Sequence, residues 1–178
     1  MRKGFTIVEM LAVVAIIAIL ATIITTAASS TIKSGRKKRA VVMQSALAQA
    51  ISSYYAQEGK WPSLIEQVDT DGEDSETFTG TKADQIFREV VGKGFGRSGA
   101  KSMLVDASAL FVCEAGAASS GRAYGIDFSE ATAKGAKRKI SFSEMAFGYQ
   151  DPETGRFRRF SITYNCRTDS VVLGPTFE

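Results

Sequence analysis

The sequence contains no histidine, two cysteines and three prolines. Without histidine, imidazole acid/base chemistry, the common nucleophilic triads and most zinc sites are excluded. Cys113 and Cys166 are too few for a cysteine-cluster metal site. No proline precedes Pro62, so proline interrupts no helix in the first third of the chain. Charge of either sign is scarce near the start: between residues 5 and 28, Glu9 is the one charged residue in 24. A large net charge is missing too. At +3 formal charge, bulk electrostatics make no case for a nucleic-acid partner.

What the first 28 residues do contain is a long apolar run. A helix over residues 5–28 would be about 36 Å long at a rise of ~1.5 Å per residue, enough to cross a hydrocarbon core of ~30 Å. A carboxylate inside such a span is costly, roughly 2.5–3.5 kcal/mol at mid-membrane, and therefore marks a candidate functional residue. A secretory signal peptide would have a shorter apolar region and no acid within it. A plain membrane anchor would leave Glu9 without a role.

The string Lys3-Gly4-Phe5-Thr6-Ile7-Val8-Glu9-Met10-Leu11 resembles the class III signal of type IV pilins and type II secretion pseudopilins. Basic leader, glycine, phenylalanine, glutamate and apolar run coincide in one order. The resemblance implies that a prepilin peptidase at the cytoplasmic face cuts between Gly4 and Phe5, and that Phe5 is then N-methylated. It also implies that Glu9 is the glutamate used in filament assembly. Losing Arg2 and Lys3 with the leader takes the formal charge from +3 to +1. Many pilins have a proline at the position aligned with Thr26; here Thr25-Thr26 stands instead, so no proline-driven kink is implied.

Four segments follow: a leader at 1–4, a membrane-spanning helix at 5–28, its amphipathic continuation at 29–59, and an extracytoplasmic pilin-like domain at 60–178. Lys33 and the run Arg36-Lys37-Lys38-Arg39 form a basic collar just beyond the span. The collar opposes simple positive-inside counting, which would place the C-terminal side in the cytoplasm. The leader requires the reverse, because otherwise Gly4-Phe5 would lie beyond the peptidase.

Met43, Leu47, Ala50, Ile51 and Tyr54 recur at helical spacing and predict a stripe facing a sheet. The helix should end at Gly59, with Pro62 following. The ending Tyr54-Tyr55 to Trp61-Pro62 resembles that of the long helix in major pseudopilins, with tryptophan in place of tyrosine. Ser63-Leu64-Ile65-Glu66 has a capping-box pattern. Residues 69–76 read as an acidic loop whose spacing does not fit an EF-hand, and residues 92–99 as a glycine-rich connection. A second helix is expected over residues 81–91, with Thr81 as a possible cap and a stripe of Ile86, Phe87, Val90 and Val91. Strands are expected at 104–113, 123–128, 140–149, 157–165 and 170–173. Asp151-Pro152-Glu153-Thr154-Gly155 should join the third and fourth as a hairpin. In an oxidising compartment Cys113 and Cys166 read as a possible disulfide, worth roughly 3–4 kcal/mol.

The expected fold is α+β: a long N-terminal helix, membrane-spanning in its first half, packed through its second half on a small antiparallel sheet. The expected function is architectural rather than enzymatic, with no cofactor. The chain would be a subunit of a pilus-like filament assembled from the bacterial inner membrane. Its partners would be copies of itself, other pilins or pseudopilins, prepilin peptidase and the assembly machinery. The expected subunit is a type II secretion pseudopilin, with a type IV pilin or minor pilin for adhesion, motility or DNA uptake as the alternative. A membrane-tethered binding or enzymatic domain is the alternative of another class.

Overall fold

The structure, a computed structural model, describes residues 7–68, 74–92, 110–117, 124–127, 132–134 and 140–177. Its dominant element is α1, Ile7–Glu58, an unbroken helix of 52 residues. It passes through Thr25, Thr26 and Gly35 without a break, as the lack of proline allows. Gly59, at φ +71°, ends it by donating its N–H to the Tyr55 carbonyl, an αL stop that glycine adopts without a Cβ clash.

The predicted stripe is the buried one. Ala40, Met43, Leu47, Ala50, Ile51 and Tyr54 are at most 2% exposed. They face α3 (Gly80–Gly92), β5 (Met145–Gln150) and β8 (Ser170–Gly174). The expected stripe of α3, Ile86, Phe87, Val90 and Val91, is buried against the same core. Thr81 lies inside α3, which begins at Gly80.

Two three-stranded antiparallel sheets complete the head. One is ordered β1-β7-β8, with β1 at Ser75–Phe78 and β7 at Ser161–Asn165. The other is ordered β2-β5-β6, with β2 at Val112–Glu114 and β6 at Phe157–Arg159. A separate hairpin pairs β3 (Gly125–Asp127) with β4 (Thr132–Lys134), and a Val112–Tyr124 bridge ties the residue before β3 to β2. Phe147, Phe160, Ile162 and Leu173 carry the sheet side of the core.

Several expectations need correction. The strand foreseen over 157–165 is two strands in different sheets, because the chain steps across at buried Phe160. The start of the strand foreseen over 140–149 is instead a 3-10 turn, Phe142–Glu144, closed by a capping box between Ser141 and Glu144. Ser75 and Glu76, read as loop, belong to β1. The helix α2, Ser63–Glu66, exists, but its capping box does not form. The Ser63 backbone N–H and hydroxyl donate to Glu89 of α3 instead.

The expected Cys113–Cys166 bond is also absent, and both residues are thiols. Cys113 lies in β2, packed with Ala146 and Phe157, whereas Cys166 follows β7 of the other sheet. Each is held by its own sheet, and burial pushes the Cys113 thiol up from its ordinary pKa. The glycine-rich segment 93–99, most of the acidic loop (69–73) and the first part of the 104–113 strand lie outside the described residues.

Candidate filament-assembly helix and its seating on the head

The first half of α1 touches nothing in the head. Ile7, Leu11, Ile17 and Ile24 are 59–80% exposed, and the whole apolar window, of mean hydropathy 2.9, is unburied. By length and composition it can cross a membrane. Four of its hydroxyls are tied internally. The hydroxyls of Thr22 and Thr25 donate to the carbonyls of Ala18 and Ala21 at 2.7 Å, and Ser30 and Thr31 donate to Ala27. Such back-bonding satisfies these four hydroxyls in lipid. Glu9 lies in the first turn of α1 and is exposed on this bare half. There the positive end of the helix dipole favours a carboxylate. Gly4 and Phe5, the expected cleavage and methylation positions, lie outside the described residues.

The collar seats the helix on the head. Lys33 forms an ion pair with Glu153 of the β5–β6 turn. The Arg36 guanidinium lies against Gly155 of the same turn, so close that a Cβ there would approach it to 2.8 Å. Gly155 also has φ +69°, a conformation that L side chains rarely adopt. Arg39 lies 6.0 Å above the Phe111 ring. The collar is thus partly a docking element, whereas its sequence reads as a solvated band.

The turn is built as its residues predict. Asp151 accepts the N–H groups of Glu153 and Thr154 at 2.9 Å, and its own N–H donates to the Arg156 carbonyl. The Thr154 N–H, with help from Arg158, holds the Asp151 carboxyl below its usual pKa.

At the other end of the head, Asp169 closes the helix ending. Its carboxylate accepts from the Trp61 indole at 2.6 Å and from the Tyr164 hydroxyl at 2.8 Å. Trp61 stacks on Tyr55 with ring centroids 4.3 Å apart. Asp169 has φ +47°, a left-handed conformation that aspartate tolerates better than most residues. The Tyr54 hydroxyl donates to Glu89 at 2.8 Å. Burial and these acidic acceptors push the Tyr54 and Tyr164 phenols up to about 12.

Sequence reasoning missed Asp84, Glu89 and Asp169. Asp84 is the one buried charged residue among the described residues. It accepts the Phe147 N–H at 3.0 Å and the Arg159 Nε–H at 2.8 Å, joining α3 to both neighbouring strands. Burial raises its pKa, while the Phe147 N–H and Arg159 act the other way. Its signal was faint: one acid between Ala83 and Ile86, on the face that α3 turns inward.

Comparison with known families bears on the segment that enters α1. Residues 1–25 match the family model described as the prokaryotic N-terminal methylation motif. The chain carries the class III prepilin signal of type IV pilins and pseudopilins. No curated protein and no solved structure matched the chain. The prepilin signal implies processing by a prepilin peptidase and assembly with other pilins. With one long apolar helix behind it, it fits a single-pass protein of the inner membrane. The architecture, a long N-terminal helix on small antiparallel sheets, is the pilin-like α+β arrangement expected from the sequence.

Proposed function

We infer that this chain is a structural, non-enzymatic subunit of a type II secretion pseudopilin filament. The observation that carries the reading is the bare half of α1. It follows directly on a prepilin signal, has Glu9 in its first turn and is not covered by the head. In the inner membrane, lipid covers that surface, with the N-terminus cytoplasmic before processing and the head periplasmic. In the filament, the same surface packs against the equivalent helices of other subunits. Glu9 then pairs with the N-terminal ammonium of Phe5 in an adjacent subunit. In a dry bundle such a pair is tolerated and a lone charge is not, so the contact selects axial register more than it adds stability.

The resemblance of the Tyr54-Tyr55 to Trp61-Pro62 ending to major pseudopilins favours the secretion role over a type IV pilin. The two differ in phenotype: deletion of a pseudopilin abolishes secretion of exoproteins, and deletion of a pilin abolishes long surface fibres. The test of filament function is Glu9→Ala. Membrane fractionation should find the variant inserted and cleaved at wild-type level, and shearing should recover almost no filament. Wild-type filament yield from Glu9→Ala would overturn the assignment.

A further inference from the structure

The two ends of the head are oppositely charged. At the membrane-proximal end, the β5–β6 turn rests on α1 at Lys33 and Arg36. Lys33, Arg36, Lys37, Lys38, Arg39, Arg156 and Arg158 gather there against two acids, Asp151 and Glu153. An open cleft of about 580 Å³ lies at this end, lined by Arg156, Arg158, Ser161, Tyr149 and Pro175. The cleft reaches along α1 to Gln44, whose amide donates to the Pro175 carbonyl at 3.0 Å. Arg158 gives its Nε–H to Asp151 and Arg159 is committed to Asp84, which leaves exposed Arg156 and Lys38 facing solvent.

Strand β7 runs from this cleft, at Ser161, to the opposite end, at Asn165. There Asp74 is bonded through its carbonyl to the Cys166 N–H, and Asp169 meets Trp61 and Tyr55. Glu58, Glu66, Asp74, Glu76 and Asp169 outnumber Lys60 and Arg167 at this end, where Asp74 is paired with Arg167. To Glu58 the helix rises about 30 Å from Lys38 and about 21 Å from Gln44.

We propose that the basic cleft of one head takes the acidic end of a second copy displaced about 20–30 Å along the helix axis, a head-to-tail contact along the filament. The inference rests on the filament reading. Copies extracted from one membrane enter in one orientation, so their helices are parallel and the acidic end of one faces the basic end of the next. A contact between two different surfaces that also translates each copy along the axis repeats without closing, which is the condition for a filament rather than a ring. Opposite potentials guide the docking and penalise misaligned copies by like-charge repulsion.

The test uses the full chain in cells that lack their own copy. Lys38→Glu with Arg156→Glu reverses the basic end, and Glu66→Lys with Asp74→Lys reverses the acidic end. All four side chains are exposed. Each pair should lower sheared filament about tenfold with membrane-inserted protein unchanged, and the fourfold variant should recover most of that loss. In wild-type filaments, a zero-length carboxylate–amine cross-linker should join Lys37 or Lys38 to Glu66 or Asp74. A link across so long a head has to be intermolecular.

Lack of that link overturns the contact, even if a substituted head fails to fold. So does an unaffected yield from either pair, or a folded fourfold variant that does not recover. Loss on reversing the basic end alone, with the acidic end indifferent, would assign the collar to anionic headgroups and overturn it too. The Glu9→Ala control separates the two readings. If wild-type cells make no filament that depends on Glu9, both fall; if they do and the charge variants behave otherwise than expected, only the head-to-tail contact falls.

Discussion

The two halves of α1 share one backbone and meet opposite fates. From Ile7 to the collar, isoleucine, leucine, valine and alanine go round the whole helix and none is covered. From Ala40 to Tyr54 one stripe, Ala40, Met43, Leu47, Ala50, Ile51 and Tyr54, is at most 2% exposed, while Val41 and Val42 on the opposite face stay open. Soluble monomers do not leave so large a contiguous apolar surface open to water. The second half therefore satisfies its hydrophobic face within its own chain, and the first must find its cover outside it, in lipid or in other helices. On the proposed filament reading, stability of the head and competence for assembly are carried by separate stretches of a single helix.

A matched pair of truncations tests that separation most severely. Leu47 is fully buried in the core, and Leu47→Ala should destabilise the head by about 4 kcal/mol, the upper part of the range for buried leucines. Leu11 is 65% exposed on the bare half, and Leu11→Ala should leave head stability unchanged. Denaturant melting in detergent, followed by the fluorescence of the single tryptophan, Trp61, reads both. A comparable loss from Leu11→Ala would show that the bare half does support the head, and the division would not stand.

The same division governs what could be read from sequence. The span, the buried stripe of α1, the stripe of α3 and the turn at Asp151–Gly155 are all local patterns: apolar spacing, a proline, a glycine. They are visible within a few turns of chain. Strand β1 was not visible, because Ser-Glu-Thr-Phe becomes a strand only by pairing with residues 162–165, more than 80 positions away. The step from one sheet to the other at Phe160 left the alternation of Phe160, Ile162 and Tyr164 intact, so it gave no sign of itself. The cysteine pair was argued from composition and compartment, and geometry set the two thiols on different sheets. Of the candidate assembly site, Glu9 and its bare surroundings were legible. The acceptors Asp84, Glu89 and Asp169 were not, because an isolated acid in a sequence reads as a solvated one.

Asp84 offers the next test, on the packed side. Its carboxylate takes a backbone N–H from β5 and the guanidinium of Arg159, which also donates to the Ala115 carbonyl. Removing one partner of a buried ion pair leaves the other uncompensated. Asp84→Ala should therefore destabilise the head by about 3 kcal/mol, near the lower bound for such losses because Arg159 is a quarter exposed. Insertion and cleavage at the other end of the chain should be unaffected. Impaired cleavage would mean that the head influences presentation of Gly4-Phe5, and the two halves would be coupled.

The smallest effect lies at the boundary between the halves, where the collar meets the β5–β6 turn. Lys33 and Glu153 are an exposed pair, with side chains 47% and 70% accessible. Such pairs are worth about 0–1 kcal/mol and are screened by salt. Glu153→Ala should thus lower head stability by less than about 1 kcal/mol, with the difference vanishing in high salt. The turn itself should persist, because its hydrogen bonds come from Asp151 and its conformation from Gly155. A loss well above that range, insensitive to salt, would mean that the helix is gripped firmly at Lys33. The packed half would then begin at the collar rather than at Ala40, and the free length of α1 would be correspondingly shorter.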